Sequence, residues 1–130
     1  FSSRAAPQLD SNDEPLRFLP DREFVEKLHH LYGAVPETIL QNPDLQAVFL
    51  PILRADVTLL ESHSFVPSDP LDCPITVFGG KQDPSISEAM LSAWRAQTEA
   101  TFTQQLFPGD HFYILQSKEA VTAAVVQQLL

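Results

Sequence analysis

The sequence predicts an α/β fold: parallel strands joined by crossover helices, with a helical segment ahead of them. Three observations carry this. Residues 64–130 alternate strand, helix, strand, helix, the order of a parallel sheet with right-handed crossovers. Residues 21–63 instead repeat apolar side chains at helical spacing. The chain has 130 residues and 44% hydrophobic content, enough for a packed core of about one domain.

Taken in order, "FSSRAAPQL" reads as the end of a strand running out into a loop. The chain begins at Phe1 rather than Met, so the expectation is a domain entered partway or a processed product. Residues 5–20 are rich in Pro, Asp, Ser and Asn and are expected as loop. In "DREFVEKLHHLYG", Phe24, Val25, Leu28, Leu31 and Tyr32 mark one helical face. Asp21 is placed to cap that helix and Gly33 to end it. "PETILQN" adds a helical turn with Pro36 at its first position. "PDLQAVFLPILRADVTLLESH" is longer and very apolar, and Pro51 inside it should kink or split it. Such faces are too apolar to meet solvent on all sides, so residues 21–63 are expected to cover something.

"SFVPSDPLDCP" is a proline-rich connector. "ITVFGG", bounded by Pro74 and by Gly79 and Gly80, is a short buried strand. In "KQDPSISEAM", Ser85 and Glu88 have capping-box spacing and open a helix to about Gln97. Ile86, Met90, Ala93 and Trp94 share one side of it. "TFTQQLF" is a second strand and "PGDH" a loop. Ser117 is placed to cap a last helix, with Val121, Ala124, Val125 and Leu129 on one face. Two strands cannot bury both faces of a sheet, so further strands are expected from elsewhere.

Composition narrows the function classes. Seventeen acidic residues against eight basic ones give a formal charge of −9, which repels phosphate backbones and argues against nucleic acid as a partner. No run approaches the ~18 apolar residues of a membrane span. The single cysteine, Cys73, has no internal disulfide partner, which fits a cytoplasmic setting. It is expected as a small buried filler. No histidine and cysteine spacing suggests zinc, and "FGGKQD" lacks the phosphate-loop pattern. Neither metal nor cofactor is expected.

In an open parallel sheet, functional groups collect just past the carboxyl ends of the strands. The first strand end leads to Asp83 and the second to His111. Parallel strands put both ends on one edge of the sheet, so these two side chains can be neighbours. A carboxylate there would fix the imidazole tautomer, and the ring's other nitrogen would take a proton from a nucleophile. Each residue also has a plain reading: Asp-Pro after a strand often starts a turn, and a loop histidine can be incidental. Asp110 is an alternative partner for His111, although adjacent side chains in a tight loop rarely face each other. His29, His30 and His63 lie in the helical segment and read as surface or rim.

The combination of "LRAD", "CPITVFGGKQDP" and "GDHFYIL", with "SSRAAPQL", "LPDREFVEKLHHLYGAVPETIL", "LPILRADVTLLESH" and "AWRAQT" in order, resembles the type II (editing) thioesterases of non-ribosomal peptide and polyketide assembly lines. The resemblance covers nearly the whole chain and implies the C-terminal part of an α/β-hydrolase fold with a helical lid. By it, residues 1–20 lead from a strand end into the lid, residues 21–63 are the lid, and residues 64–130 are the C-terminal α/β part of the core. Asp83 becomes the triad acid and His111 the base. Phe24, Leu28, Phe49 and Leu53 become candidate lid residues that line the acyl group.

The family's nucleophile is a serine in a G-x-S-x-G elbow. None of the four glycines here brackets a serine. Ser85 and Ser87 lie beside Asp83, but at a helix start. The resemblance therefore implies that another stretch of polypeptide supplies the serine and the oxyanion hole, and that this chain alone is inactive. The expected reaction is hydrolysis of acyl groups from the phosphopantetheine arm of acyl or peptidyl carrier proteins. The alternatives are an ester hydrolase of the same fold and a non-enzymatic helical interaction module.

Overall fold

The computed structural model describes residues 1–9 and 14–129. It divides into two compact units, one of Phe1–Asp10 with Val66–Leu130 and one of Ser11–Phe65.

In the first unit, β1 (Ile75–Gly80) pairs in parallel with β2 (Phe102–Phe107), in a register that sets Ile75 against Phe102 and Gly80 against Phe107. The N-terminal residues extend this sheet. Ser2 forms a parallel bridge to Phe78, the Ser3 N–H donates to the Phe78 carbonyl at 3.0 Å, and the Phe78 N–H donates to the Phe1 carbonyl at 2.9 Å. β1 thus has a neighbour on each side, and five of its six residues are buried.

Strand alternation sends the two sets of side chains to opposite faces. Ile75 and Val77 join Ala6, Leu91 and Trp94 in one core cluster. Phe78 and Phe107 join Tyr113, Val121 and Ala124 in another. Each large aliphatic side chain so buried contributes about 1.5–3 kcal/mol. The first cluster is closed by α4 (Glu88–Ser92) and a 3₁₀ turn, Ala93–Gln97. The second is closed by α5 (Tyr113–Gln116) and α6 (Lys118–Leu129). Each strand is followed by helix, as its sequence pattern predicts.

Local differences from the sequence expectation have local causes. The helix after β1 starts two residues late, because Ser87 rather than Ser85 accepts the Met90 N–H. It also tightens to 3₁₀ after Ser92. Ser117 turns its hydroxyl to the Pro108 carbonyl at 3.0 Å, and the loop before it contains the helical turn α5. On α6, Val121 and Ala124 are buried while Val125 and Leu129 are exposed. Cys73 is exposed rather than buried. The adjoining turn is held by Thr98, whose hydroxyl donates to the Cys73 carbonyl at 2.6 Å.

The second unit contains α1 (Asp21–Tyr32), α2 (Glu37–Leu40) and α3 (Pro43–Ser62). A 3₁₀ turn, Leu16–Phe18, lies in the stretch expected as loop, and its N–H groups at Leu16 and Arg17 donate to the Glu61 carboxylate. Asp21 lies inside α1 instead of capping it, and its carboxylate accepts from Arg54 at 2.8 Å. Gly33, at φ 64°, ends the helix as expected. Asn42 caps α3 through the N–H groups of Asp44 and Leu45.

α3 continues unbroken through Pro51. The proline removes one N–H, and the carbonyl it would have served, on Ala47, lies on an exposed turn that water can reach. The core of this unit is Phe24, Val25, Leu28 and Val35, with Leu50, Leu53 and Val57 of α3 against it. The rest of α3 carries Val48, Phe49, Ile52, Leu59 and Leu60 exposed. Among the described residues, no helix is long and apolar enough to cross a membrane.

Candidate active site

The carboxyl ends of β1 and β2 are laced together before they diverge. The Lys81 N–H donates to the Phe107 carbonyl at 2.8 Å and the Gln82 N–H to the Gly109 carbonyl at 2.9 Å. The Gly109 N–H donates in return to the Gln82 side-chain oxygen at 2.6 Å. Two glycines permit this. A Cβ on Gly80 would collide with the backbone carbonyls of Gly109 and Asp110. Gly109 itself has φ 121°, a conformation that side-chain-bearing residues rarely adopt.

The lacing delivers Asp83 and His111 to one place. The His111 Nδ1 lies 2.9 Å from the Asp83 Oδ2. The Asp83 side chain is 1% exposed and the His111 side chain 22%. Burial alone pushes the Asp83 carboxyl up. The Ser85 hydroxyl, the Ser85 N–H and His111 outweigh it and hold the group below its ordinary value. The aspartate is therefore ionised near neutral pH and can only accept, so Nδ1 carries the proton and donates it. Ring orientation gains from Phe112, whose ring meets the imidazole edge to face at 5.4 Å.

Ser85 completes the site. Its N–H and hydroxyl both donate to the Asp83 Oδ1, at 2.9 and 2.6 Å. Its Oγ also lies 3.2 Å from the His111 Nδ1. A nucleophile would have to face the ring nitrogen opposite the acid. Ser85 shares the acid's side and is not placed as one. Asp110, the alternative partner for His111, instead accepts the Phe112 N–H at 2.8 Å. A cleft of about 480 Å³ beside the dyad is lined in part by Gly80, Lys81, Asp83, Ile86 and Leu91.

The candidate lid residues divide. Phe24 and Leu28 are buried in the helical unit's own core, Leu53 packs against that core, and Phe49 is 40% exposed. Arg54 lies over the Phe24 ring at 4.2 Å and donates to the Arg17 carbonyl at 2.7 Å, so that ring face is taken. His29 and His30 are exposed, and His29 Nδ1 donates to the Val35 carbonyl at 2.7 Å. Among the described residues no group of three or more His, Cys, Asp or Glu could hold a metal ion.

Sequence reasoning passed over Gln82, the close backbone approach at Gly80 and the contacts of Ser85. The last had a signal: Asp-x-Ser is the spacing at which an aspartate accepts from the N–H two residues on. Tyr113 was also missed. It is fully buried, shares a 2.7 Å hydrogen bond with the Ser2 hydroxyl, and has its phenol pushed up by that burial.

Parallel strands flanked by helices, with loops meeting past their carboxyl ends, are the architecture of the C-terminal part of an α/β-hydrolase fold. The chain belongs to the thioesterase domain family, which matches residues 1–129. It is 38% identical over 128 residues to the gramicidin S biosynthesis protein GrsT of Aneurinibacillus migulanus, covering 98% of this chain and 50% of that protein. Among solved structures it is similar to ClbQ from the colibactin NRPS/PKS pathway, with 32% identity, a TM-score of 0.88, and coverage of 99% and 54%. It is also similar to the type II thioesterase BorB from the borrelidin biosynthetic cluster, with 30% identity, a TM-score of 0.83, and coverage of 99% and 52%. The chain spans about half the length of the curated relatives it matches.

Proposed function

We propose that this chain supplies the acid and base of a serine-type thioesterase that acts in non-ribosomal peptide or polyketide synthesis. The substrate would be an acyl group on the phosphopantetheine arm of an acyl or peptidyl carrier protein. The observation that carries the reading is the buried Asp83 carboxylate 2.9 Å from the His111 Nδ1, past the ends of adjacent parallel strands. Similarity to type II thioesterases of the borrelidin cluster and of the yersiniabactin NRPS/PKS pathway supports the choice of substrate class.

The serine and the oxyanion donors would come from polypeptide outside these residues. His111 Nε2 would accept the serine proton as the serine oxygen attacks the thioester carbonyl. As the carbon–sulfur bond breaks, the His111 imidazolium gives its proton to the departing sulfur, which leaves as the free thiol and returns the ring to its neutral form. His111 would next activate water to release the acyl group from the serine, and Asp83 would stabilise the imidazolium in both steps. The helical unit would act as the lid, with the exposed apolar residues of α3, Phe49 among them, against the acyl chain. The setting would be cytoplasmic.

The test is a panel of acyl-thioesters and matched esters, offered to the complete gene product and to residues 1–130 alone. The complete product is expected to prefer thioesters, and residues 1–130 to be inactive, since each missing element is worth several kcal/mol of barrier. The coding sequence upstream of Phe1 should contain G-x-S-x-G. A start codon directly before Phe1, or ester hydrolysis with no thioester preference, would sink the reading.

A further inference from the structure

Ser85 has no part in the reaction just described, yet it is the residue whose hydroxyl touches both members of the dyad. Its helix-capping duty has passed to Ser87. Its N–H already ties the turn to Asp83, and any residue at position 85 other than proline could supply that bond. The hydroxyl is an added contact, and its geometry is specific. One proton goes to the Asp83 Oδ1 at 2.6 Å, so the oxygen's lone pairs are left for the His111 Nδ1–H at 3.2 Å.

We propose that Ser85 is a positioning residue: its hydroxyl locks the plane of the Asp83 carboxylate and gives the His111 Nδ1–H a second acceptor. The two carboxylate oxygens then have separate duties. Oδ1 takes both donors of Ser85 and Oδ2 takes the imidazole. Without the hydroxyl the buried carboxylate loses a short bond and can rotate, so either oxygen can meet the ring. The ring would then sample more than one orientation, and its far nitrogen would leave the line of proton transfer for part of the time. Positioning of this kind affects the chemical step and not substrate affinity. Only the kinetic part rests on the thioesterase reading; the ring geometry does not.

The experiment compares the wild-type complete gene product with Ser85→Ala and Ser85→Thr, the second keeping the hydroxyl. Two readouts are taken: the Nδ1–H resonance of His111 by NMR, and kcat and KM for thioester hydrolysis. Ser85→Ala should shift or broaden the resonance and lower kcat about ten-fold at unchanged KM, and Ser85→Thr should restore both. A thermal melt checks that each variant is folded; an alanine variant that does not fold hands the decision to Ser85→Val against Ser85→Thr, which differ in the hydroxyl. A hydroxyl-free variant with the wild-type resonance and kcat would overturn the proposal. So would a folded Ser85→Thr that restores neither. If the wild type cleaves no thioester while the resonance still depends on the hydroxyl, the functional reading fails and the positioning role stands.

Discussion

Replacing Asp83 by asparagine separates charge from shape at the centre of the site. Two donors from Ser85, at 2.6 and 2.9 Å, occupy one oxygen of the side chain. In the variant that position must hold the amide oxygen. The amide NH2 then faces His111 Nδ1, which stands 2.9 Å from the atom it replaces. Two donors cannot share that gap, so the ring must present a bare Nδ1 and carry its proton on Nε2. A histidine in that tautomer cannot accept the nucleophile's proton. In triads of this kind the wrong tautomer lowers kcat by about 10⁴, or about 5.5 kcal/mol of barrier. The fold should lose much less, about 1 kcal/mol, since a neutral hydrogen bond replaces a charge-assisted one. The assay is thiol release from an acyl-thioester by the complete gene product, with a thermal melt alongside. Activity within ten-fold of wild type would refute the reasoning, because it would mean that the carboxylate does not set the ring's tautomer.

Two further outcomes follow from the same geometry. Gly80→Ala places a methyl against the carbonyls of Gly109 and Asp110 and should cost about 1–3 kcal/mol of stability, with the His111 loop pushed off Asp83; an unchanged melting temperature would contradict the close approach. The second concerns acid. Asp83 is held below its ordinary value of 3.8, so its contribution to stability is complete above that value and is lost as pH falls through the lower, folded one. Denaturant midpoints should therefore fall more steeply below about pH 4 in the wild type than in Asp83→Asn; parallel curves would remove the aspartate from the account.

Much of this was legible in the residues, because it depends on near neighbours in the chain. The β-branched and aromatic run Ile75–Gly80 with glycines at its end, and the apolar spacing in Asp21–Tyr32, are local patterns, and local patterns decide element type. Parallel pairing of β1 with β2 follows from the helix between them. That pairing alone places Asp83 and His111 on the same edge, which is why the dyad could be named before any distance was known.

What only the tertiary structure decided was which groups meet once the segments are packed together. Ser85 had the spacing of a helix cap, and the choice of Ser87 instead depends on which hydroxyl the Asp83 carboxylate and the His111 ring take up. Phe24 and Leu28 were candidate lining residues only through the family resemblance, and their burial within the helical unit was set by α3 residues packing against them. The closeness of the two loops depends on the missing Cβ of Gly80 meeting backbone 29 positions later. Chain pattern constrains each segment's form; only simultaneous packing determines which polar group ends up beside which.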